Sequence, residues 1–465
     1  MSRRSYTAFT DCSFVHSRHQ TATKQDLTPS TLKMDYDKFL TRRAVLSQPS
    51  PIRLFHKMAL ESSEPVINMA PGSPNDDRTY LVGAKFNLRD GATMELDEAD
   101  MRVAQQYNLS DGIIPFREWL TELTVKLHHP PTYGDENKEK ALRVIVNCGG
   151  IQGISGAVSV FVNPGDKVLV GDYFYATFTE ILRRSEAVTV SLKSEEDGLN
   201  IEQLEEILSQ YDPTDQQKWC ERPKVLYTVP NGNNPTGKTT SLEKRRKIYA
   251  LAQKYDFIII EDDSYYFTQF NEPRIPSYLS LDVDGRVIRC DSFSKVIGAG
   301  FRLGWVSGPC ALVTRIFYEL QYTVQHASIF AQVVVNKLVR QWGIEGFLRR
   351  ADDLRDFYQR RRDTAVQAAT THLTGLATWV VPQCGLFLWM KLTGLEGDST
   401  SFIRSFAIKN QFMMTPGGLF TLEKRGPCPY LRASFSHVSE PELEEGMKRL
   451  ATSLKEASAQ QNENA

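Results

Sequence analysis

Residues 224–237 read KVLYTVPNGNNPTG, residues 257–266 read FIIIEDDSYY, and residues 286–304 read RVIRCDSFSKVIGAGFRLG. Each stretch opens with a short, largely β-branched apolar run and then breaks into polar residues. Continuous apolar runs of this length suit strands covered on both faces, as in a parallel sheet flanked by helices. The polar residues then fall just beyond the carboxyl ends of those strands, where open α/β sheets bind ligands. Around this trio the pattern predicts strands at Val144–Val146, Lys167–Val170, Ala187–Leu192, Lys224–Thr228, Phe257–Ile260, Arg286–Cys290 and Leu303–Val306. Helical stretches alternate with them, including Glu243–Lys254 with Ser241 as its N-cap. The expected fold class is α/β.

After Arg349 the pattern changes. A long charged helix, Ala351–Ala369, precedes a second alternation at Gly385–Leu392, Phe412–Met414 and Leu431–Ser434, read as a smaller α+β domain. The expected division is an extension over 1–33, an N-terminal arm over 34–80 that joins the small domain and the site, a large domain over 81–345, a small domain over 346–456, and a disordered tail over 457–465.

Composition narrows the function. The 465 residues carry 55 Lys+Arg against 56 Asp+Glu, a net charge of -1, which gives no electrostatic case for nucleic acid or an anionic membrane as main partner. No apolar run approaches the roughly 20 residues that a spanning helix needs. Seven scattered cysteines without a C-x-x-C argue against a disulfide framework, and no Cys/His spacing suits a metal site. Residues 1–33 are rich in Ser, Thr, Arg and His, with Asp11 and Asp26 their only acids. That composition fits a mitochondrial transit peptide or a disordered extension, and leaves a mitochondrial or a cytoplasmic location open.

The chemistry concentrates at the three strand ends. Glu261, Asp262 and Asp263 would repel one another unless at least one faces a cation. Asn231, Asn233 and Asn234 bring amide donors. Ser292, Ser294, Lys295, Gly298, Gly300 and Arg302 lie within eleven residues, a hydroxyl and cation nest suited to an anion. A lysine desolvated in such a place loses its proton and can attack a carbonyl.

Asn-Pro-Thr-Gly, then Asp-x-x-Tyr, then Ser-x-Ser-Lys with an arginine seven residues on, resembles the pyridoxal-phosphate aminotransferases of fold type I. The stretches TVPNGNNPTG, FIIIEDDSYYF, WGIEGF and PYLRASFS are similar to the kynurenine/α-aminoadipate aminotransferase group, and the likeness runs from about Met34 to Lys455. The resemblance implies a large domain with a mainly parallel seven-stranded sheet plus a smaller α+β domain. It implies pyridoxal 5'-phosphate as cofactor and a homodimer with its site at the subunit boundary. It further implies ping-pong transfer of an amino group from kynurenine, 2-aminoadipate or an aromatic amino acid to a 2-oxo acid such as 2-oxoglutarate. A β-lyase or decarboxylase using the same cofactor, or a non-catalytic binding role, stand as alternatives.

By the same resemblance, Lys295 holds the cofactor and moves the proton, Asp263 pairs with the pyridine nitrogen, and Tyr266 and Asn234 bond the phenolic oxygen. Tyr175 stacks on the ring, while Ser292 and Arg302 bind the phosphate and Tyr107 reaches the neighbouring subunit's phosphate. Arg432 clamps the substrate carboxylate, Gly72 touches substrate through its backbone, and Arg53 meets the substrate's side chain. One departure stands out. The family's Ser-Gly-Ser-Gln turn is here Cys148-Gly149-Gly150-Ile151, so a serine becomes Gly150 and a glutamine becomes Ile151. The backbone N–H groups there can still hold phosphate, but two side-chain hydrogen bonds are lost, and weaker cofactor retention is expected.

Overall fold

The computed structural model describes residues 34–463, apart from 61, 65, 68, 70, 71, 394–397 and 423–426. The extension expected at 1–33 lies outside the described residues. All seven expected strands form and share one sheet. They are β1 (Leu142–Asn147), β2 (Lys167–Gly171), β3 (Val188–Leu192), β4 (Pro223–Thr228), β5 (Ile258–Asp262), β6 (Val287–Ser292) and β7 (Gly304–Pro309), in the order β1-β7-β6-β5-β4-β2-β3. Only β7 runs against the others. The apolar run of β5 suggested an end at Ile260; the ladder continues through Glu261, paired with Thr228, and Asp262, paired with Cys290.

Both faces of the sheet are covered, which is why its strands read as unbroken apolar runs. Ile258 and Ile260 enter one core together with Val225, Tyr227, Ile288 and residues of helix α1 (Gly150–Phe161). Ile259 and Phe257 enter the opposite core with Leu226, Val287 and residues of a later helix, Leu242–Tyr255. Side chains alternate across a strand, so one run of four apolar residues feeds two cores. Helix α2 (Ala176–Arg184) packs its Phe178 and Leu182 into the first core, and the later helix, α3, begins where Ser241 Oγ accepts the Lys244 N–H at 3.3 Å.

The charged helix expected at Ala351–Ala369 is the second half of α4 (Ile329–Leu373), which breaks at Gly343, where φ is 64°. A smaller sheet follows, of β8 (Ala377–Trp379), β9 (Phe387–Leu392), β10 (Thr415–Pro416) and β11 (Tyr430–Ser434), in the antiparallel order β8-β9-β11-β10. The strand expected at Phe412–Met414 is thus displaced to Thr415–Pro416. Phe412 and Met414 pack against the small core instead of joining the ladder. Of the tail expected to be disordered over 457–465, the described part, to Glu463, is helical instead: it continues helix α5 (Glu440–Glu463), and burial of Leu454 and Ala457 in the small core explains why polar neighbours do not end it there. Cys148, Cys290, Cys310, Cys384 and Cys428 are free thiols.

Strand register decides where the chemistry collects. Asn147 at the end of β1 pairs with Gly304 at the start of β7, and Gly304 pairs with Ser292 at the end of β6. The turns after β1, β4, β5 and β6, and the turn before β7, therefore lie along one edge.

Candidate active site

The turn after β4 is held from below by a buried cation. Arg245 on α3 is fully buried and donates to the carbonyls of Pro230 (3.1 Å), Thr240 (3.0 Å) and Pro276 (2.9 Å), and to Asn231 Oδ1 at 2.6 Å. Gly232 has a φ of +55°, and a Cβ there would stand 2.8 Å from the Cys384 and Gly385 backbone, so only glycine lets the two chain segments approach. With Asn231 fixed through its oxygen, its Nδ2 donates to Asp263 Oδ2 at 2.8 Å.

Asp263 Oδ2 also accepts from Arg289 Nη1 at 2.8 Å, whereas its Oδ1 is buried and has no partner among the described residues. Arg289 lies on β6, paired with Glu261 on β5. Its guanidinium serves three buried acids: Asp263, Glu261 at 3.3 Å, and Asp291 through two bonds of 2.9 and 2.7 Å. One cation among three buried carboxylates leaves negative charge in excess. Burial accordingly pushes Glu261 upward and Asp291 up to about 7, although the Arg289 charge pulls both down. A second cationic donor at Asp263 Oδ1 would satisfy an acceptor whose orphaning costs roughly 1–3 kcal/mol. The protonated pyridine nitrogen of pyridoxal phosphate fits that acceptor in charge and in hydrogen-bond sense. Tyr266, three residues further, is boxed between the His128 ring (4.8 Å) and the Arg289 guanidinium (5.0 Å), and burial pushes its hydroxyl up to about 12.

Past β6, a short 3-10 turn (Phe293–Lys295) is capped by Ser292 Oγ, which accepts the Ser294 N–H at 3.2 Å. The turn carries Lys295 into the cleft. Burial, then the positive charges of Arg432 and Arg302, hold the Lys295 ammonium below the usual lysine range. Beside it the start of α1 forms an anion cup. Ser292 Oγ donates to Ser294 Oγ at 2.9 Å. Arg302 donates through Nη1 to Ser294 Oγ and through Nη2 to the Cys148 carbonyl, both at 3.3 Å. Arg302 adopts the left-handed region at φ 52°, a strained setting for a side chain aimed at this point. A Cβ at Gly149 would meet Arg302 Nη2 at 2.8 Å, so glycine is what admits the guanidinium. Helix N–H groups, an arginine fork and hydroxyls together suit a phosphate.

The small sheet supplies the other wall. Arg432 on β11, paired with Trp389 and Thr415, donates from Nη1 to Asn234 Oδ1 at 2.6 Å and from Nη2 to Thr415 Oγ1 at 3.3 Å. Its guanidinium lies over the rings of Phe387 (4.2 Å) and Phe420 (4.8 Å), and its Nε is buried with no partner among the described residues. Burial lowers its affinity for its proton. Tyr173, Trp389 and Tyr430 pack as an aromatic cluster, Trp389 and Tyr430 stacked at 5.1 Å. Tyr175, at the head of α2, is close enough for its hydroxyl to act on Arg432 electrostatically.

The structure thus gathers Lys295, Asp263, Tyr266, Asn234, Tyr175, Ser292, Arg302, Gly150 and Arg432. It does not gather the rest within one chain. Tyr107 is 46% exposed with its ring against His326 at 6.1 Å, the Ile151 side chain points outward at 40% exposure, and Gly72 is exposed with open space at its Cβ. Arg53 lies in a helix, Pro51–Leu60, but its side chain is outside the described residues. Sequence reasoning missed Arg245 and Arg289, and it named Asn231 only as one of three amide donors, without its bond to Asp263. A cue existed for Arg289: a charged residue inside the apolar run RVIRC must be paired if that run is a covered strand.

Comparison with known proteins agrees with this geometry. The family model described as aminotransferase class I and II matches residues 65–450. The mitochondrial kynurenine/alpha-aminoadipate aminotransferase of Bos taurus is 41% identical over 425 residues, 91% of this chain and all of that one. Among solved structures, the aminotransferase Aro8 of Candida albicans superposes with a TM-score of 0.80 at 27% identity, covering 91% of this chain and 98% of that one. A Pyrococcus horikoshii kynurenine aminotransferase, solved with PMP, KYN and KYA, superposes at 0.68 with 27% identity over 91% and 98% of the two chains. The chain belongs to the class I and II aminotransferases. It is an enzyme of fold type I that works with pyridoxal 5'-phosphate.

Proposed function

We propose that the enzyme takes the amino group from kynurenine, 2-aminoadipate or an aromatic amino acid and passes it to a 2-oxo acid, 2-oxoglutarate, in two alternating half-reactions. The observation that carries this reading is Arg432: a guanidinium whose buried Nε has no partner among the described residues, set between aromatic faces in the cleft that holds Lys295. That arrangement suits the one group all amino and 2-oxo acids share, an α-carboxylate, with aromatic surface beside it for the remainder of the donor. The curated relatives named for kynurenine, aminoadipate and L-tyrosine act on donors of this kind.

Pyridoxal phosphate, when bound, supplies an electron-withdrawing ring that accepts the electron pair left when the substrate Cα loses its proton. The residues do the rest. Asp263, its carboxylate fixed by Asn231 and Arg289, would hold a proton on the ring nitrogen. Tyr266 and Asn234 would hold the cofactor's phenolic oxygen. Lys295, its ammonium already weakened by burial and by Arg432 and Arg302, would take the proton from the substrate Cα and hold it for return. Ser292, Arg302 and the start of α1 hold the phosphate.

The active unit is a homodimer in which Tyr107 of one protomer faces its partner's site. Support comes from a run of exposed apolar side chains on the arm, among them Phe55 at 60%, Ile67 at 91% and Tyr80 at 96% exposure, more than a monomer leaves to water. The acid-poor segment 1–33 and the mitochondrial relatives favour a mitochondrial location. A donor panel with 2-oxoglutarate tests the reading: glutamate forms from kynurenine, 2-aminoadipate or an aromatic donor. Formation of pyruvate and ammonia without a new amino acid would overturn it.

A further inference from the structure

The turn that opens α1 lacks the serine the family places at 150, yet the space beside it is not empty of hydroxyl. A Cβ built on Gly150 would stand 3.2 Å from Ser264 Oγ and 3.8 Å from Ser292 Cβ. Ser264, in the turn that leaves β5 after Asp263, is half-buried, and its hydroxyl reaches the place from which a serine at 150 would work. Its present bond, donated to Asp262 Oδ1, is 3.2 Å, long for an O–H···O contact. Asp262 does not depend on it, since Tyr227 donates to Oδ2 at 2.8 Å. The hydroxyl is therefore free to rotate toward an incoming acceptor at little cost.

We propose that Ser264 is a phosphate ligand of this enzyme, supplying from the β5 turn the hydroxyl that the α1 turn has lost at Gly150. This rests on the pyridoxal-phosphate reading above. On this inference cofactor retention is not weakened at this point: with Ser292, Ser294, Arg302 and the helix N–H groups, the cup keeps its hydroxyl donors, while Gly149 stays bare enough to admit Arg302. Gly150 and Ser264 then complement one another, because a side chain at 150 would crowd Ser264 Oγ at 3.2 Å and make it give way by a few tenths of an ångström.

The test measures binding, not turnover. Purified holoenzyme is stripped of cofactor, and dissociation constants for pyridoxal 5'-phosphate, pyridoxal and inorganic phosphate are measured by fluorescence quenching and by competition. Ser264→Ala is expected to bind pyridoxal phosphate about tenfold more weakly, the value of one hydrogen bond to a charged acceptor, and inorganic phosphate more weakly as well, while pyridoxal binds as before. Gly150→Ser in the wild-type background brings no gain, but in the Ser264→Ala background it restores affinity to within about twofold of wild type. Should Ser264→Ala fail to fold, Ser264→Cys keeps the volume and weakens the donor, and the same loss is expected. Equal losses for pyridoxal and its phosphate would show a merely structural serine and overturn the inference, as would unchanged affinities. Wild-type protein that takes up no pyridoxal phosphate would overturn the functional reading itself.

Discussion

Replacing Arg289 by methionine probes the electrostatic centre of the site. The guanidinium lies 2.7–3.3 Å from Glu261, Asp263 and Asp291, and none of these side chains is more than 3% exposed. Removing the cation leaves three buried carboxylates with no neutralising partner from this residue. Breaking one buried pair costs about 3–5 kcal/mol, so Arg289→Met should lose at least about 3 kcal/mol of unfolding free energy. The loss has a pH signature whose sign can be worked out. Burial raises Asp291 to about 7 and raises Glu261, while Arg289 pulls both down. Without Arg289 both rise further, so the folded variant keeps protons that the unfolded chain releases. A group whose folded pKa is raised contributes stability at low pH and loses it as pH climbs through that pKa. From about pH 7 upward, where wild-type Asp291 gives up its proton and the variant does not, the penalty should grow by up to about 1.4 kcal/mol per pH unit for each proton retained. Urea unfolding of wild type, Arg289→Met and Arg289→Lys at pH 6, 7 and 8 reads this out, with Lys recovering part of the stability but not the two-bond grip on Asp291. A penalty that is constant with pH, or larger at pH 6, would refute the electrostatic account.

Arg432→Lys keeps the charge but loses the fork and the Nε donor; kcat/KM for every donor should fall about 100-fold, with cofactor absorbance unchanged in a titration with pyridoxal phosphate. Lys295→Ala should leave no pyridoxyl adduct after borohydride treatment and peptide mapping, whereas wild type carries the adduct at Lys295. Because burial, Arg432 and Arg302 lower the Lys295 pKa, donor turnover should rise with pH to a plateau below the ordinary lysine range, and Arg302→Gln should move that rise to higher pH in a pH–rate profile. Gly149→Ala adds a Cβ 2.8 Å from Arg302 Nη2 at a φ of +84°, and should weaken pyridoxal-phosphate binding more than tenfold by equilibrium dialysis without abolishing folding on circular dichroism.

Much of this molecule can be read before it is folded, for a physical reason. A strand buried on both faces must be apolar throughout, so KVLYT, FIII and RVIRC announce themselves, and ligand chemistry has to begin where the apolar run stops. Asn234, Asp263, Ser292, Lys295 and Arg302 are legible for that reason. Arg289 is not, because its meaning depends on which strand lies beside it; only the pairing of Arg289 with Glu261 reveals that one side chain can neutralise acids at 261, 263 and 291. Asn231 and Asn234 differ by three positions in one turn, yet one faces Asp263 and the other Arg432, a distinction set by backbone geometry that composition does not carry. Ser264 reads as an ordinary turn residue until its distance to Gly150 is known. Tyr107, Gly72 and Arg53 belong to segments whose use depends, under the dimer proposed above, on a second chain.

The charges of the cleft also explain why one cofactor serves it. At one end lie Glu261, Asp263 and Asp291 with a single arginine among them and an unpartnered oxygen at Asp263 Oδ1. At the other lie Arg302, the bare start of α1 and a set of hydroxyls, a strongly positive pole with no acid in the first turn of the helix. A ligand bearing a protonated ring nitrogen at one end and a phosphate dianion at the other satisfies both poles at once, and reversing it would set like charges together. Lys295 sits between, next to Arg432 and Arg302, so burial first, and then the same cations proposed to hold the phosphate and the substrate carboxylate, push its amine toward neutrality. Binding and activation therefore share a cause: an arginine placed for an anion also prepares the lysine, and any substitution that removes one cation from the cleft should weaken anion binding and raise the lysine's pKa together.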